Sequence, residues 1–390
     1  MASTRNVAAL GIVSLCMGVS SFMVLGLLPA FVVNGLGASA LWVGAIEGTA
    51  ESTASLVKVL SGVLSDRLGR RKPLMLCGYV LAAAMKTLFP LARLPIEVLA
   101  IRVFDRVGKG LRDAPRDALI ADLTAVGTRG WHFGLRFALF SIGAMVGPLA
   151  AMLLMAATGD NYRVVFAAAV VPAMMSVVAL AVGVDEPRKS ARRRLQLRRL
   201  HDLRQLPAAV WWPIGFAALL AAGRVGQAFL LLAMLRVGVD PAYVPLTLVL
   251  IYGLYSVSAY PLGATADRFD RRRMLAFGAG LLVAGDAVLA AANSVPAVVA
   301  GTVLWGLQMG AVHGALGASI AATTPQKLRG LAFGAADLAV GVAALCTSFA
   351  AGALWVGGGP VWVFGTGAIL AAGAFAVAAT WLCCTKPGDK

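Results

Sequence analysis

The chain alternates long apolar runs with short polar connections. The runs lie at 7–33, 40–64, 73–92, 95–119, 131–156, 163–184, 208–234, 242–265, 274–293, 295–322, 330–356 and 360–383. About 20 apolar residues in an α-helix cross the hydrocarbon core of a bilayer, so each run has the length of one crossing. The runs are too long and too uniformly apolar for the alternating strands of a membrane β-barrel. The pattern predicts an all-α membrane protein with twelve transmembrane helices.

The composition excludes an ordinary soluble domain. Of the 390 residues, 59% are apolar and 13% are charged, whereas soluble domains carry roughly 25% charged residues. The five cysteines are odd in number and mostly lie inside apolar runs, so we expect free thiols and no disulfide scaffold. The first run is too long for the apolar region of a signal peptide, and we expect it to be retained.

The distribution of basic residues predicts the orientation in the membrane. If the amino terminus is cytoplasmic, the connections on that side hold 22 Lys and Arg, against Arg93, Arg163 and Arg236 on the other side. This bias predicts that both termini are cytoplasmic. The net charge of +16 then follows from topology and requires no nucleic-acid partner. The short loops and the Ala- and Gly-rich helices favour a bacterial inner membrane, and nothing in the sequence indicates an oligomer, so we expect a monomer.

An internal repeat divides the chain. Residues 62–74 read GVLSDRLGRRKPL and residues 263–275 read GATADRFDRRRML, at an offset of 201, while RGWHFG at 129–134 matches RGLAFG at 329–334 at an offset of 200. We therefore expect two pseudo-symmetric six-helix bundles, 1–184 and 208–390, with a solute site near the middle of the membrane. The basic stretch 185–207 is interpreted as a cytoplasmic linker; a helix lying on anionic lipid is the alternative.

Three motifs carry a family resemblance. The pattern Gly62-x-x-x-Asp66-Arg67-x-Gly69-Arg70-Arg71-Lys72, with its second copy around Asp267 and Arg268, resembles the signature loop of the major facilitator superfamily. Arg102 with Asp105 and Gly108, followed by ALIAD at 118–122, is similar to the conserved-Arg motif of that family. Gly143-x-x-x-Gly147-Pro148 resembles its antiporter motif, although Gly143 and Gly147 also fit close helix packing. The resemblance implies secondary transport by alternating access.

The resemblance also implies a conformational latch at the cytoplasmic helix ends. Its core would be Asp66 and Arg70, with Asp122 as the partner of Arg70. Arg71 and Lys72 are interpreted as topological charges only. The remaining predicted latch residues are Gly62, Arg67, Asp267 and Arg268.

The second apolar run carries candidate proton-binding groups. Glu47, Glu51 and Lys58 fall within about 40° of arc on one helix face, so they can face one cavity. Charges within the membrane are costly and usually line a water-filled path or pair with one another. Glu51 is the first proton-carrier candidate and Glu47 the second, with Arg102 and Asp105 completing the predicted coupling group. A fixed ion pair with a cation on a neighbouring helix is the alternative.

The fourth run is rich in charge for a membrane helix. Arg102, Arg106, Lys109, Asp113 and Arg116 lie within about 80° of arc. This face either binds an anionic solute or forms a structural ladder with Glu47, Glu51, Asp105 and Asp113, and the sequence leaves both alternatives open. The predicted solute-binding residues are Arg106, Lys109, Lys58, Lys86, Arg224, Tyr252, Tyr255 and His313.

These features favour proton-coupled export of a small anionic solute. The alternatives are uptake or exchange of a phosphorylated or carboxylated metabolite or a metal chelate, and a receptor that does not transport. The chain lacks the G-x-x-x-x-G-K-[ST] phosphate loop and the H-E-x-x-H pattern, so ATP-driven transport and enzymatic activity are not expected. We expect no catalytic residues, no metal site and no cofactor; the expected partners are the solute, protons and the lipid bilayer.

Overall fold

The computed structural model describes residues 2–124, 129–186, 205–268, 270–325 and 328–384. Within these ranges the chain is almost entirely helical and contains no strand. The helices, in chain order, are α1 (Ala2–Ala30), α2 (Ala40–Leu68), α3 (Lys72–Leu88), α4 (Pro95–Leu123), α5 (Arg129–Thr158), α6 (Tyr162–Ala168), α7 (Val170–Gly183), α8 (Trp211–Gly223), α9 (Gln227–Arg236), α10 (Leu246–Arg268), α11 (Arg271–Ala290), α12 (Val295–Thr323) and α13 (Arg329–Cys384).

The predicted all-α membrane fold with twelve crossings is confirmed. Nine segments of the described residues are long and apolar enough to cross a membrane. The segment Arg329–Trp381 is 53 residues long, enough for two crossings, and Gly359 (φ 67°, ψ −153°) interrupts it before Pro360. The other two crossings are α2 and α4, each 29 residues long. The ionisable residues of α2 and α4 lower the mean hydropathy of these helices, so neither is counted among the nine apolar segments.

The chain divides into two compact units. One comprises Met1–Leu197 with Asp240–Val249, and the other comprises Arg198–Val239 with Leu250–Lys390. Residues 187–204 of the predicted linker lie outside the described residues. The boundaries 1–184 and 208–390 of the two bundles stay a prediction.

In the first unit, α4 packs against both α2 and α3 at close range. A Cβ added at Gly110 would lie 2.9 Å from the Ala54 carbonyl oxygen of α2, and one added at Gly108 would lie 2.7 Å from the Gly78 carbonyl oxygen of α3. The Ser61 hydroxyl donates a 2.6 Å hydrogen bond to the Gly110 carbonyl oxygen. Small residues therefore bring three backbones together, and the polar face of α4 is covered by protein rather than by lipid.

The contact between α1 and α5 explains the glycine motif in α5. A Cβ added at Gly143 would lie 2.5 Å from the Leu15 carbonyl oxygen, and one added at Gly147 would lie 2.5 Å from that of Val19. These positions accept no side chain without separation of the helices. The packing interpretation of Gly143 and Gly147 is thus the one supported by contacts; an antiporter role of the motif, including Pro148, stays a prediction.

Gly143→Ala is expected to destabilise the protein, because its new methyl group meets backbone atoms that cannot rotate away. Overpacking of this kind costs roughly 1–3 kcal/mol, so we expect a lower unfolding temperature in detergent. Gly134→Ala on the same helix is the matched control: Gly134 has nothing within 4 Å of its Cβ position. Equal unfolding temperatures for the two variants would contradict the assigned α1–α5 contact.

Candidate functional site

A row of ion pairs connects α2, α3 and α4 within the first unit. We call Glu47, Glu51, Lys86, Arg102, Asp105, Arg106 and Lys109 the charge ladder. In its most buried part, Lys86 Nζ lies 2.7 Å from Asp105 Oδ1 and Arg102 Nη2 lies 3.2 Å from Glu47 Oε1. Arg102 Nη1 is 3.6 Å from Asp105 Oδ2. The side chains of Lys86 and Arg102 are fully buried, so each charge is neutralised by direct partners.

Glu51 lies at the accessible part of the charge ladder. Its Oε1 is 3.5 Å from Arg106 Nη1 and its Oε2 is 3.5 Å from Lys109 Nζ. The Glu51 side chain is 45% exposed, whereas those of Glu47 and Asp105 are 10% and 4% exposed. Glu51 is therefore the most exposed carboxylate of the ladder, and it contacts two cations at once.

The charge ladder combines features of both alternatives raised for α4. Glu47, Glu51 and Asp105 do pair with α4 cations or with Lys86, as a structural ladder requires. Yet four cations face three carboxylates, so one positive charge remains. In addition, the buried Nε atoms of Arg102 and Arg106 have no hydrogen-bond partner among the described residues. A partly paired cationic site of this kind can accept an anion.

The remaining charges of α4 form a second cluster. Arg116 lies 2.9 Å from Asp113 and 3.1 Å from Asp117, both on its own helix. Lys58 of α2, a predicted solute ligand, interacts electrostatically with Asp113. Sequence reasoning missed Tyr79, whose ring is 4.8 Å from the guanidinium carbon of Arg112. No spacing rule links these two residues, since they lie on different helices.

The latch residues require a correction. Arg71, interpreted from sequence as a topological charge, lies 3.4 Å from Asp66 and 3.0 Å from Asp122. Arg70, the predicted partner of Asp122, is exposed and forms no ion pair with a described residue. The reason is local: Gly69 takes a left-handed conformation (φ 63°) that ends α2, and Arg71 is the first residue after this turn that reaches both carboxylates. The side chains of Asp267 and Arg268 lie outside the described residues.

The start of α3 is hydrogen-bonded to the last turn of α7 and to the residues that follow it. The Glu186 carboxylate accepts hydrogen bonds from the backbone N–H groups of Arg71 and Lys72. The Lys72 ammonium donates to the carbonyl oxygens of Ala181 and Val184, at 2.8 and 2.7 Å. Lys72 therefore also has a structural role, which its interpretation as a topological charge alone did not include. A carboxylate at a helix amino terminus is favourable because it meets unpaired N–H groups.

The second unit contains the other predicted solute-binding residues. Arg224 ends α8 with a non-helical conformation (φ −79°, ψ 86°), donates to the sulfur of Met309 at 3.0 Å, and has its guanidinium carbon 5.6 Å from the Trp305 ring centroid. Tyr252 and Gln227 are joined by a 3.1 Å hydrogen bond. The rings of Tyr255 and His313 are 5.7 Å apart.

Membrane-crossing helices that carry paired charges within the membrane are typical of membrane transporters. The Major Facilitator Superfamily model matches residues 10–240 and 211–390. The chain therefore belongs to the major facilitator superfamily and is a multi-pass secondary transporter. This family and this fold are those of membrane transporters rather than enzymes.

Relatives and solved structures agree with this family. An uncharacterised MFS-type transporter of Methanocaldococcus jannaschii is 26% identical over 282 residues, covering 70% of this chain and 69% of the relative. The multidrug resistance protein MdtH of Aeromonas hydrophila is 34% identical over 128 residues, which cover 33% of this chain and 32% of MdtH. The crystal structure of the nucleoside transporter NupG superposes with a TM-score of 0.78 at 12% identity, covering 98% of this chain and 100% of NupG. This last similarity shows the fold.

Arg71→Gln is expected to lower the unfolding temperature, because it removes the cation that lies between Asp66 and Asp122. Partly exposed ion pairs contribute roughly 0–1 kcal/mol each, so the shift should be a few degrees. Arg70→Gln is the matched control and should unfold like the wild type. A larger effect for Arg70→Gln than for Arg71→Gln would restore the original assignment of the latch.

Proposed function

We propose that this transporter moves a small anionic solute by alternating access, coupled to protons through Glu51. The observation that carries the proposal is the position of Glu51, whose two carboxylate oxygens lie 3.5 Å from Arg106 and 3.5 Å from Lys109. The carboxylate occupies the two cations on which an anionic solute would bind. Protonation of Glu51 removes its negative charge and makes both cations available.

The sign of the coupling follows from this competition. When Glu51 is ionised, it and the solute compete for the same cations; when it is protonated, the solute binds without a competitor. Proton binding and anion binding therefore strengthen each other, and by linkage the effect is reciprocal. A site of this kind carries a proton and an anion in the same direction. This favours the alternative predicted from the sequence, uptake or exchange of a phosphorylated or carboxylated solute.

Export is the second candidate function. The 34% identity to MdtH over 128 residues supports it, because that relative is a multidrug resistance protein by name. In an exporter of cationic compounds, Glu51 would bind the compound itself, and protonation would release it. Protonation of Glu51 thus strengthens solute binding in the first candidate function and weakens it in the second.

The other candidate residues have supporting roles in this proposal. Lys86, Arg102 and Asp105 are buried and fix the positions of the cations. Glu47, which pairs with Arg102, is proposed as the second proton carrier. Asp66, Arg71 and Asp122 replace the predicted Arg70 pair as the latch. Further solute ligands are proposed at Lys58, Arg224, Tyr252, Tyr255 and His313.

We also propose the cellular setting from the sequence. The excess of basic residues on one side favours cytoplasmic termini, and the short loops and the Ala- and Gly-rich helices favour a bacterial inner membrane. The repeat supports bundles at 1–184 and 208–390 joined by the linker 185–207. The protein is proposed to act as a monomer and without nucleic acid.

Glu51→Gln is expected to abolish the pH dependence of anion binding. Wild-type protein should be stabilised by phosphate esters or dicarboxylates more strongly at pH 6 than at pH 8, because a bound proton removes the competitor. The variant carries a neutral side chain and should bind the same anion equally well at both pH values, with the tighter affinity. The measurement is the shift in unfolding temperature with ligand concentration, which reports affinity.

Two control variants sharpen this experiment. Glu97→Gln makes the same chemical change at an exposed position of α4, where the carboxylate accepts hydrogen bonds from the backbone N–H groups of Arg93 and Leu94. This variant should leave the pH dependence intact. Lys109→Ala should weaken anion binding at both pH values. Stabilisation by a cationic dye that increases with pH and vanishes in Glu51→Gln would instead establish the export candidate.

A further inference from the structure

The second unit buries a carboxyl group that has no cation beside it. Asp286 of α11 is fully buried, and its Oδ1 accepts a 2.8 Å hydrogen bond from the Trp305 indole N–H of α12. Among the described residues, its Oδ2 has no hydrogen-bond partner, and no Lys or Arg forms an ion pair with it. An ionised carboxylate in such surroundings would lose its hydration without compensation, and such groups are instead neutral.

The internal repeat allows Asp286 and Trp305 to be compared with the equivalent residues of the first unit. In the first unit, Lys86 of α3 binds Asp105 of α4, 19 positions apart. In the second unit, Asp286 binds Trp305, also 19 positions apart, and both residues lie 200 positions after their counterparts. The repeat offsets of 200 and 201 make these equivalent sites. One unit places a cation against a carboxylate there; the other places a neutral indole donor, so the charge is not balanced by the partner.

The unpartnered oxygen of Asp286 lies close to the backbone of α13. A Cβ added at Gly367 of α13 would lie 3.0 Å from Asp286 Oδ2 and 2.8 Å from the Gly223 carbonyl oxygen. A side chain at this position would crowd both oxygens, so glycine lets α13 pack against them. Two oxygen acceptors thus lie near the same point, which disfavours a negative charge on Oδ2 and favours a hydroxyl there.

The charged group that acts on Asp286 from the neighbouring helices is Arg224 at the end of α8. Its guanidinium stacks on the Trp305 ring, with 5.6 Å between its central carbon and the ring centroid, so the indole contacts Arg224 through its face and Asp286 through its N–H. From α12 the direct partner is Trp305, and from α13 the direct neighbour is Gly367; neither is ionisable. The described conformation thus keeps Arg224 from forming an ion pair with Asp286.

We propose that Asp286 is a second proton-binding site, located in the second unit and occupied by a proton at neutral pH while the carboxyl is buried against Trp305. The proton resides on Oδ2, and Oδ1 remains the acceptor of the indole N–H. Asp286 and Glu51 belong to different units, and the variants below test the two sites separately. Each unit then holds its own proton-binding carboxyl.

Infrared spectroscopy of the full-length protein in liposomes tests this site. The spectrum at pH 7 should contain the C=O stretching band of a protonated carboxyl, and Asp286→Asn should remove one such band. Glu51→Gln should leave the Asp286 band in place, which separates this proposal from the proposed role of Glu51. Trp305→Phe should shift the band to higher frequency, because the carbonyl oxygen loses its hydrogen bond; a purely structural Asp286 in ionised form would give no such band to shift.

The amide oxygen in Asp286→Asn still accepts the indole hydrogen bond, so this variant should fold. If Asp286→Asn does not fold, the band shift in Trp305→Phe still tests the proposal. Loss of carboxylate bands rather than a C=O band in Asp286→Asn would overturn the proposal. The proposal would also be overturned if NaCl raised the unfolding temperature of the wild type more than KCl does and this difference disappeared in Asp286→Asn. That result would assign a sodium ion to Oδ2 in place of the proton.

Discussion

The structure of the first unit depends on the cost of placing charge inside a membrane. A charged side chain at the centre of a crossing helix costs roughly 2.5–3.5 kcal/mol on insertion scales, and α4 carries several. The chain meets this cost by covering α4 with α2 and α3, at distances that Gly78, Gly108 and Gly110 permit. Close backbone contact then places Lys86 and Glu47 where they pair with α4. The packing of small residues therefore makes the pairing of these charges possible.

The two units have used this scaffold differently. In the first, the position between the third and fourth crossings holds an ion pair connected to further charges; in the second, it holds a single acid and an indole. The first arrangement is fixed by many partners, and its most exposed carboxylate is Glu51. The second has no ion-pair partner within the described residues, and one of its carboxyl oxygens has no hydrogen-bond partner there. The repeated sequence therefore carries two acidic sites with unlike surroundings, and these are the two proton-binding sites that we propose.

Much of the fold and part of the candidate site could be predicted from the sequence. The twelve crossings follow from the apolar runs, and the helical period placed Glu47 and Glu51 on the face that α4 contacts. The choice between Arg70 and Arg71 could not be predicted, because it depends on the left-handed turn at Gly69, and resemblance to a motif does not determine which of two adjacent arginines points inward. The contact of Glu186 with the start of α3 spans 115 residues, and no local pattern encodes it.

The charges of α4 also have a consequence for synthesis of the protein. Helices enter the bilayer from the translocon according to their own hydrophobicity, and α4 is not among the apolar crossings of the described chain. Three of its cations pair with carboxylates on α2, which is synthesised earlier, and its Asp105 pairs with Lys86 on α3. We therefore expect α4 to remain at the translocon until it associates with both helices. Chains that lack α2 should leave α4 outside the membrane and expose it to degradation.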